Sequence, residues 1–331
     1  MTNSIPKEWH MGNYALVKTA VGLIAILLLP GCHDSAQQSG PHQTPAIPAN
    51  QSQATSTTDA GLSARLKGIA DRAGGAVGVS AIHIETGRSA SVNGATRLPL
   101  YSVFKLPLAI AVLKDVEEGR LQIEQKVHMT PKDIVAGARS NTQLWVKPVD
   151  RTIADLIEVS IALSDNTSSD KLLELAGGPE TVTRRLRSLG FDQIQIQTTI
   201  REFLKTLKNQ NTGSADDLAK LLAHLQQGQL LQPAQQQMLI GSMQRSTIGL
   251  RRIRGNLPAG TVVADKTGSG ELNETTKMPN ATNDVGLITL PDGSHLAIAV
   301  LLNGSRLSDV EQEKVIAELA RAAYDAYVVQ K

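Results

Sequence analysis

The stretch TNDVGLITLPDGSHLAIAVLLNG, residues 282–304, decides the architecture. Two apolar runs flank Pro291-Asp292-Gly293. Proline presets the φ of a turn residue and glycine accepts a positive φ, so the runs read as two strands of a tight hairpin. On its N-terminal side, TVVADKTGSG (261–270) reads as a third strand. On its C-terminal side, residues 308–329 read as a long closing helix, with Ser308 as cap and Glu311 as its capping-box partner. At the other end of the chain, AVGVSAIHIETG (76–87) and SASVNG (89–94) form a second strand pair. Before them, residues 61–74 place Leu62, Leu66, Ile69 and Ala73 on one face of a helix.

Between the two groups of strands the chain is helical in pattern. The expected helices are 102–118, 131–138, 152–163, 166–176, 179–189 and 214–227, started by Thr130-Pro131, Asp150/Thr152 and Ser214. The order is helix, two strands, many helices, three strands, helix. It predicts an α/β (α+β) fold: a five-stranded antiparallel sheet flanked by the N- and C-terminal helices, plus an all-helical lobe. The sheet lobe spans 61–97 and 240–331 and the helical lobe 98–239, with the groove between them as the natural place for a site.

Composition narrows the function classes. Of 331 residues, 41% are hydrophobic and 19% charged, which suits a globular protein with a substantial core. A net charge of +2 and 3% aromatics leave neither the basic footprint nor the stacking surface of a nucleic-acid binder. One cysteine, Cys32, excludes an intrachain disulfide, and the seven scattered histidines have no metal-site spacing. No metal and no cofactor are expected.

The first 31 residues read as a targeting segment. Lys7, His10 and Lys18 precede an apolar run, Ala20 to Leu29, too short to span a membrane comfortably. The following Leu28-Leu29-Pro30-Gly31-Cys32 resembles a bacterial lipobox, which implies lipidation at Cys32. An ordinary signal peptide is the alternative, and both imply export. Residues 32–60 are rich in Gln, Ser, Thr, Pro and Ala and cannot bury enough surface to fold, so they read as a tether. The expected location is the periplasm, on a lipid anchor. The folded part is then residues 61–331.

Three short strings carry chemistry. Ser102-Val103-Phe104-Lys105 opens an otherwise apolar helix and puts a lysine one turn after a serine. A buried lysine loses basicity through desolvation and can take the proton of a serine nucleophile. Ser164-Asp165-Asn166 lies at a helix-to-helix turn, where Asp165 can cap the next helix. There Ser164 can relay a proton and Asn166 can hold a substrate amide. Lys266-Thr267-Gly268-Ser269-Gly270 ends a strand, where Lys266, Thr267 and Ser269 can bind a carboxylate and the glycines let a ligand lie against the backbone. The N–H groups of Ser269 and Ser102 can together form an oxyanion hole. Each string alone also fits an ordinary cap, turn or strand end.

All three in this order are the signature of penicillin-binding proteins and class A β-lactamases. Residues 61–331 resemble a class A serine β-lactamase, and so do the longer blocks YSVFKLPLAIAVLKDVEEGRL and TIGLRRIRGNLPAGTVVADKTGSG. The resemblance implies a β-lactamase/transpeptidase-like fold and a monomer. It also implies attack by Ser102 on a lactam carbonyl, with Lys105 as base and Ser164 as proton donor to the lactam nitrogen. Lys266 and Thr267 would hold the substrate carboxylate and Asn166 its amide. Some members carry an arginine where Arg252 stands, in Gly249-Leu250-Arg251-Arg252-Ile253-Arg254, aimed at the same carboxylate.

One element of the family pattern is missing. Members activate the deacylating water with a glutamate, whose place falls on Ile200 in an ungapped reading from Ser164. Glu202 lies two residues on, and Asp192 is more remote. With Glu202 as base the chain is a β-lactamase. Without a base it resembles the penicillin-binding D-Ala-D-Ala carboxypeptidases with a shortened omega loop, or a β-lactam-binding lipoprotein that does not turn over.

Overall fold

A computed structural model describes residues 57–137, 141–271 and 280–328. The targeting segment, Cys32 and the tether up to residue 56 lie outside the described residues. The last residues expected in the tether belong to the fold: Asp59 accepts the Leu62 N–H at 2.9 Å as a helix cap, and its own N–H donates to Ser89 O at 2.7 Å.

In chain order, α1 is Ala60–Ala70, β1 Ala76–His83, β2 Ser89–Val92 and β3 Arg97–Pro99. A 3-10 turn, Tyr101–Phe104, then runs into α2, Lys105–Glu117. Next come β4 (Lys126–Met129), β5 (Val149–Thr152), α3 (Ile153–Ala162), α4 (Asn166–Leu175), α5 (Gly178–Ser188) and α6 (Ile200–Thr206). After β6 (Thr212–Ser214) follow α7 (Ala215–Gln226), α8 (Pro233–Gln244), β7 (Val263–Gly270), β8 (Ala281–Thr289), β9 (His295–Asn303) and α9 (Asp309–Tyr327).

The main sheet has five strands in the order β2-β1-β9-β8-β7, antiparallel throughout, so both ends of the chain meet in it. Its hairpin turn and the Ser308–Glu311 capping box stand as the sequence predicts. The β9 strand is apolar on both faces because two cores share it. Ile298, Val300 and Leu302 pack with Leu62, Leu66, Ile316 and Leu319 of α1 and α9. Ala297, Ala299 and Leu301 belong to the other core, with Leu108, Ile157, Leu218 and Leu222 of α2, α3 and α7. The period of two along the strand sorts the residues between these cores.

The helical lobe is not all helix: it carries the antiparallel pairs β3-β6 and β4-β5, whose partners lie far enough apart in the chain that no local turn signal announces them. Three further departures from the sequence reading concern helices. The expected helix 131–138 is only a 3-10 turn at Pro131–Asp133, and Ile134 has left helical geometry. The Val135 N–H goes to Thr167 Oγ1 of α4 at 3.0 Å, a tertiary bond that competes with helix continuation. The second departure is α8, whose glutamine-rich sequence shows no clear apolar face and which is held by packing on α3 and β7. The third is α6, a single short helix capped by Thr199.

Candidate active site

Ser102 is the second residue of the 3-10 turn, and Lys105 is the first residue of α2. The Lys105 N–H donates to Ser102 O, which fixes the two on consecutive turns. Lys105 is fully buried. Its ammonium group donates to Ser164 O at 2.6 Å, to Asn166 Oδ1 at 2.9 Å and, more weakly, to Ser164 Oγ at 3.4 Å. Burial, helped by the charge of Lys266, pushes its pKa well below the ordinary lysine value, while Asp165 and Asp170 act in the opposite sense.

The Ser164-Asp165-Asn166 turn joins α3 to α4, with Ser164 in the left-handed region at φ +53°. Asp165 holds the turn. Its Oδ1 accepts the Ser168 N–H at 2.7 Å, capping α4, and the Nε1–H of the buried Trp145 at 3.2 Å. With Asp165 so anchored, Ser164 and Asn166 both reach Lys105.

The third string forms the edge strand β7. Lys266 is 1% exposed and donates to Ser164 Oγ at 2.9 Å and to Thr267 O at 2.9 Å. Two lysines from different elements therefore converge on one hydroxyl. Burial depresses the pKa of Lys266 to about 7, against the opposing pull of Asp284 and Asp265. Gly268 lies directly against the turn that carries Ser102: a Cβ there would come within 2.4 Å of Leu100 O and 3.0 Å of Val103 N. Only glycine permits that approach.

Arg252 is the one of the three clustered arginines that reaches the Gly268–Ser269 end of this strand. Its guanidinium donates to Ser269 Oγ at 2.7 Å, to Asn283 O at 2.9 Å and to Gly268 O at 3.2 Å. Arg251 is exposed and pairs with Glu313, while Arg254 pairs with Asp265. The resemblance points to Arg252 among the three; it is buried beside Ser269, and its Nε–H also lies 3.4 Å from Glu313 Oε1.

Glu202 is placed differently from the other predicted residues. It is exposed at the third position of α6, and its N–H is capped by Thr199 Oγ1 at 3.1 Å. Ile200 is half-buried against the helical core. Asp192 is exposed.

Three contributors escape the sequence reading. Asp170, one turn beyond Asn166 on α4, accepts the N–H groups of Ile200 at 2.7 Å and Arg201 at 2.8 Å, and so pins the start of α6. Its i+4 spacing from Asn166 is a signal that could have found it. Asn283 of β8 donates to Pro99 O at 2.8 Å and to Leu100 O at 3.2 Å, and accepts the Leu302 N–H at 3.0 Å, tying the sheet to the Ser102 turn. Tyr101 precedes Ser102 at φ +47°. The last two act through strand register and backbone geometry, which no local string encodes.

A serine one turn from a buried lysine, a second hydroxyl shared by two lysines, and a cationic strand edge form a site for acyl transfer to serine. Residues 61–327 match the model of the beta-lactamase enzyme family. The extended-spectrum beta-lactamase PER-1 of Pseudomonas aeruginosa is 33% identical over 244 residues, 70% of this chain and 76% of that protein. Beta-lactamase VEB-1 of the same species is 29% identical over 272 residues, 81% of this chain and 90% of that protein. Among solved structures, a beta-lactamase from Chitinophaga pinensis superposes with a TM-score of 0.77 at 34% identity, covering 80% of this chain and 99% of the other. The chain belongs to the beta-lactamase enzyme family.

Proposed function

We propose that this protein opens β-lactam rings through an acyl-serine intermediate and so confers resistance to these antibiotics. The observation that carries the reading is the convergence of Lys105 and Lys266 on Ser164 Oγ, at 3.4 and 2.9 Å, beside the turn that holds Ser102. Lys105, with its lowered pKa, takes the Ser102 proton as Oγ attacks the lactam carbonyl. The C–N bond breaks and Ser164 passes a proton to the leaving nitrogen, its hydroxyl resupplied by the lysines. The N–H groups of Ser102 and Ser269 receive the oxyanion. Lys266, Thr267 and Arg252 hold the substrate carboxylate, with Gly268 keeping the strand close to the Ser102 turn, and Asn166 holds the side-chain amide. The export signal, lipidation at Cys32, a periplasmic position on a membrane anchor and a monomeric state complete the proposal.

Release of the acyl group needs a base for water. Glu202 is the carboxylate that α6 carries. Its exposure, and the half-buried Ile200 two residues before it, favour a second reading in which acylation outruns release and the natural substrate is a D-Ala-D-Ala peptide. Turnover of a chromogenic cephalosporin separates the two. Many turnovers, lost on Glu202→Gln, establish hydrolysis with Glu202 as base. A single stoichiometric burst leaves the second reading, which release of D-Ala from a model peptide then tests. Ser102→Ala abolishes covalent labelling by penicillin; labelling that persists refutes the nucleophile.

A further inference from the structure

Tyr101 holds an unusual position. Its backbone is left-handed at φ +47°, a conformation strained for a non-glycine residue that persists only where the surroundings impose it. Three contacts fix its ring. The ring of Phe203 in α6 meets it edge-on, with centroids 6.2 Å apart and planes at 87°. The Gln210 side-chain amide, in the segment between α6 and β6, donates to the phenol oxygen at 3.2 Å. On the other side the ring lies over Gly270, the last residue of β7, so closely that a Cβ there would fall 2.1 Å from Cζ and 2.3 Å from Cε1. Gly270 has no left-handed φ, so occupied space, and not backbone conformation, forbids a side chain at that position.

The ring thus bridges the segment around α6 and the strand that carries Lys266, from the residue immediately before the nucleophile. We propose that Tyr101 is a positioning residue. Wedged between Phe203 and Gly270, it holds the strained turn that orients the Ser102 N–H and hydroxyl, and it ties α6 to the end of β7. The inference rests on the acyl-serine reading for its kinetic consequence, but the tie between α6 and β7 does not depend on it. The chemistry belongs to Ser102; Tyr101 acts through it. Edge-on aromatic contact and van der Waals packing supply the tie, so the phenyl ring matters more than the hydroxyl.

Four variants of the full chain test this: Tyr101→Ala, Tyr101→Phe, Gly270→Ala and the double variant Tyr101→Ala/Gly270→Ala. Acylation is followed with a fluorescent penicillin at limiting and saturating concentrations, and amide exchange is followed across residues 200–206. In Tyr101→Ala the acylation rate at saturation falls about tenfold or more, as expected for a displaced nucleophile, with little change in the half-saturating concentration. Tyr101→Phe retains most of the rate. Gly270→Ala loses rate because its methyl group collides with the ring, and the double variant is no slower than Tyr101→Ala alone, since the collision partner is gone. Amides of α6 exchange faster in Tyr101→Ala but not in Tyr101→Phe. A Tyr101→Ala protein with the wild-type acylation rate and unchanged exchange overturns the proposal, as does strict additivity in the double variant. If the wild-type protein takes up no penicillin, the acyl-serine reading fails instead, and the exchange comparison still decides whether Tyr101 ties α6 to β7.

Discussion

Lys105 and Lys266 show how two amines become useful by being buried. An unpaired buried ammonium is too costly to keep, and each lysine is instead surrounded by oxygen acceptors on the Ser164 turn or its own strand. The consequences differ. Lys105, which burial pushes well below the ordinary lysine value, suits proton abstraction in its neutral form, whereas Lys266, at about 7, lies where a bound anion tips its charge. A substrate carboxylate stabilises the ammonium form and raises its pKa above about 7. Binding at pH 8 is therefore expected to take up protons, and affinity is expected to weaken as the pH rises past about 7. Calorimetry on Ser102→Ala with a penicillin, in buffers of different ionisation enthalpy, measures the uptake. Zero uptake at pH 8, or affinity that climbs with pH, removes Lys266 from the carboxylate site.

At the scale of elements, the site is assembled by contacts that cross between them. The Ser102 turn is held by Asn283 from β8 and lies against Gly268 of β7. The α4 helix supplies Asn166 to Lys105 and, one turn later, Asp170 to the start of α6. Burial raises the pKa of Asp170, and its two bonds to backbone N–H groups oppose that rise. Asp170→Ala leaves both N–H groups without their acceptor, at a cost of about 1–3 kcal/mol where such groups stay buried. The loss is expected to be local: faster amide exchange over Ile200–Thr206, with α3 and α4 still protected. A variant with unaltered exchange in α6 shows that Thr199 capping and side-chain packing hold that helix unaided. Legibility also divides at this scale. The three motif strings and the α4 cap could be read in advance because each is local. The chain 131–138 could not, because the Val135 N–H is claimed by Thr167 from another element.

For the whole molecule, the five-stranded sheet is the partition between two cores, and β9 is its middle strand. Ile298 is fully buried on the α1/α9 side. Ile298→Ala is expected to cost about 2–5 kcal/mol, the range for removing a large aliphatic side chain from a packed core. The check is denaturant unfolding, and a shift below about 1 kcal/mol would show a core loose enough to collapse around the deletion. Because the α1/α9 core is on the opposite face of the sheet from α2, the folded fraction of this variant is expected to keep its penicillin acylation rate.

The sequence by itself determined the strands of the main sheet and the closing helix, since turn residues, caps and apolar periodicity are local properties of the chain. It also determined which residue types carry the chemistry, because a serine and a lysine one turn apart need no other element to be neighbours. Only the tertiary structure decided which arginine reaches Ser269, that both lysines meet at Ser164 Oγ, and that Ile200 is half-buried while Glu202 faces solvent. Those outcomes depend on the docking of α4, α6 and β7, elements far apart in the chain. Their relative placement is fixed by packing and by bonds from Asp170 and Asn283, and not by any run of neighbouring residues.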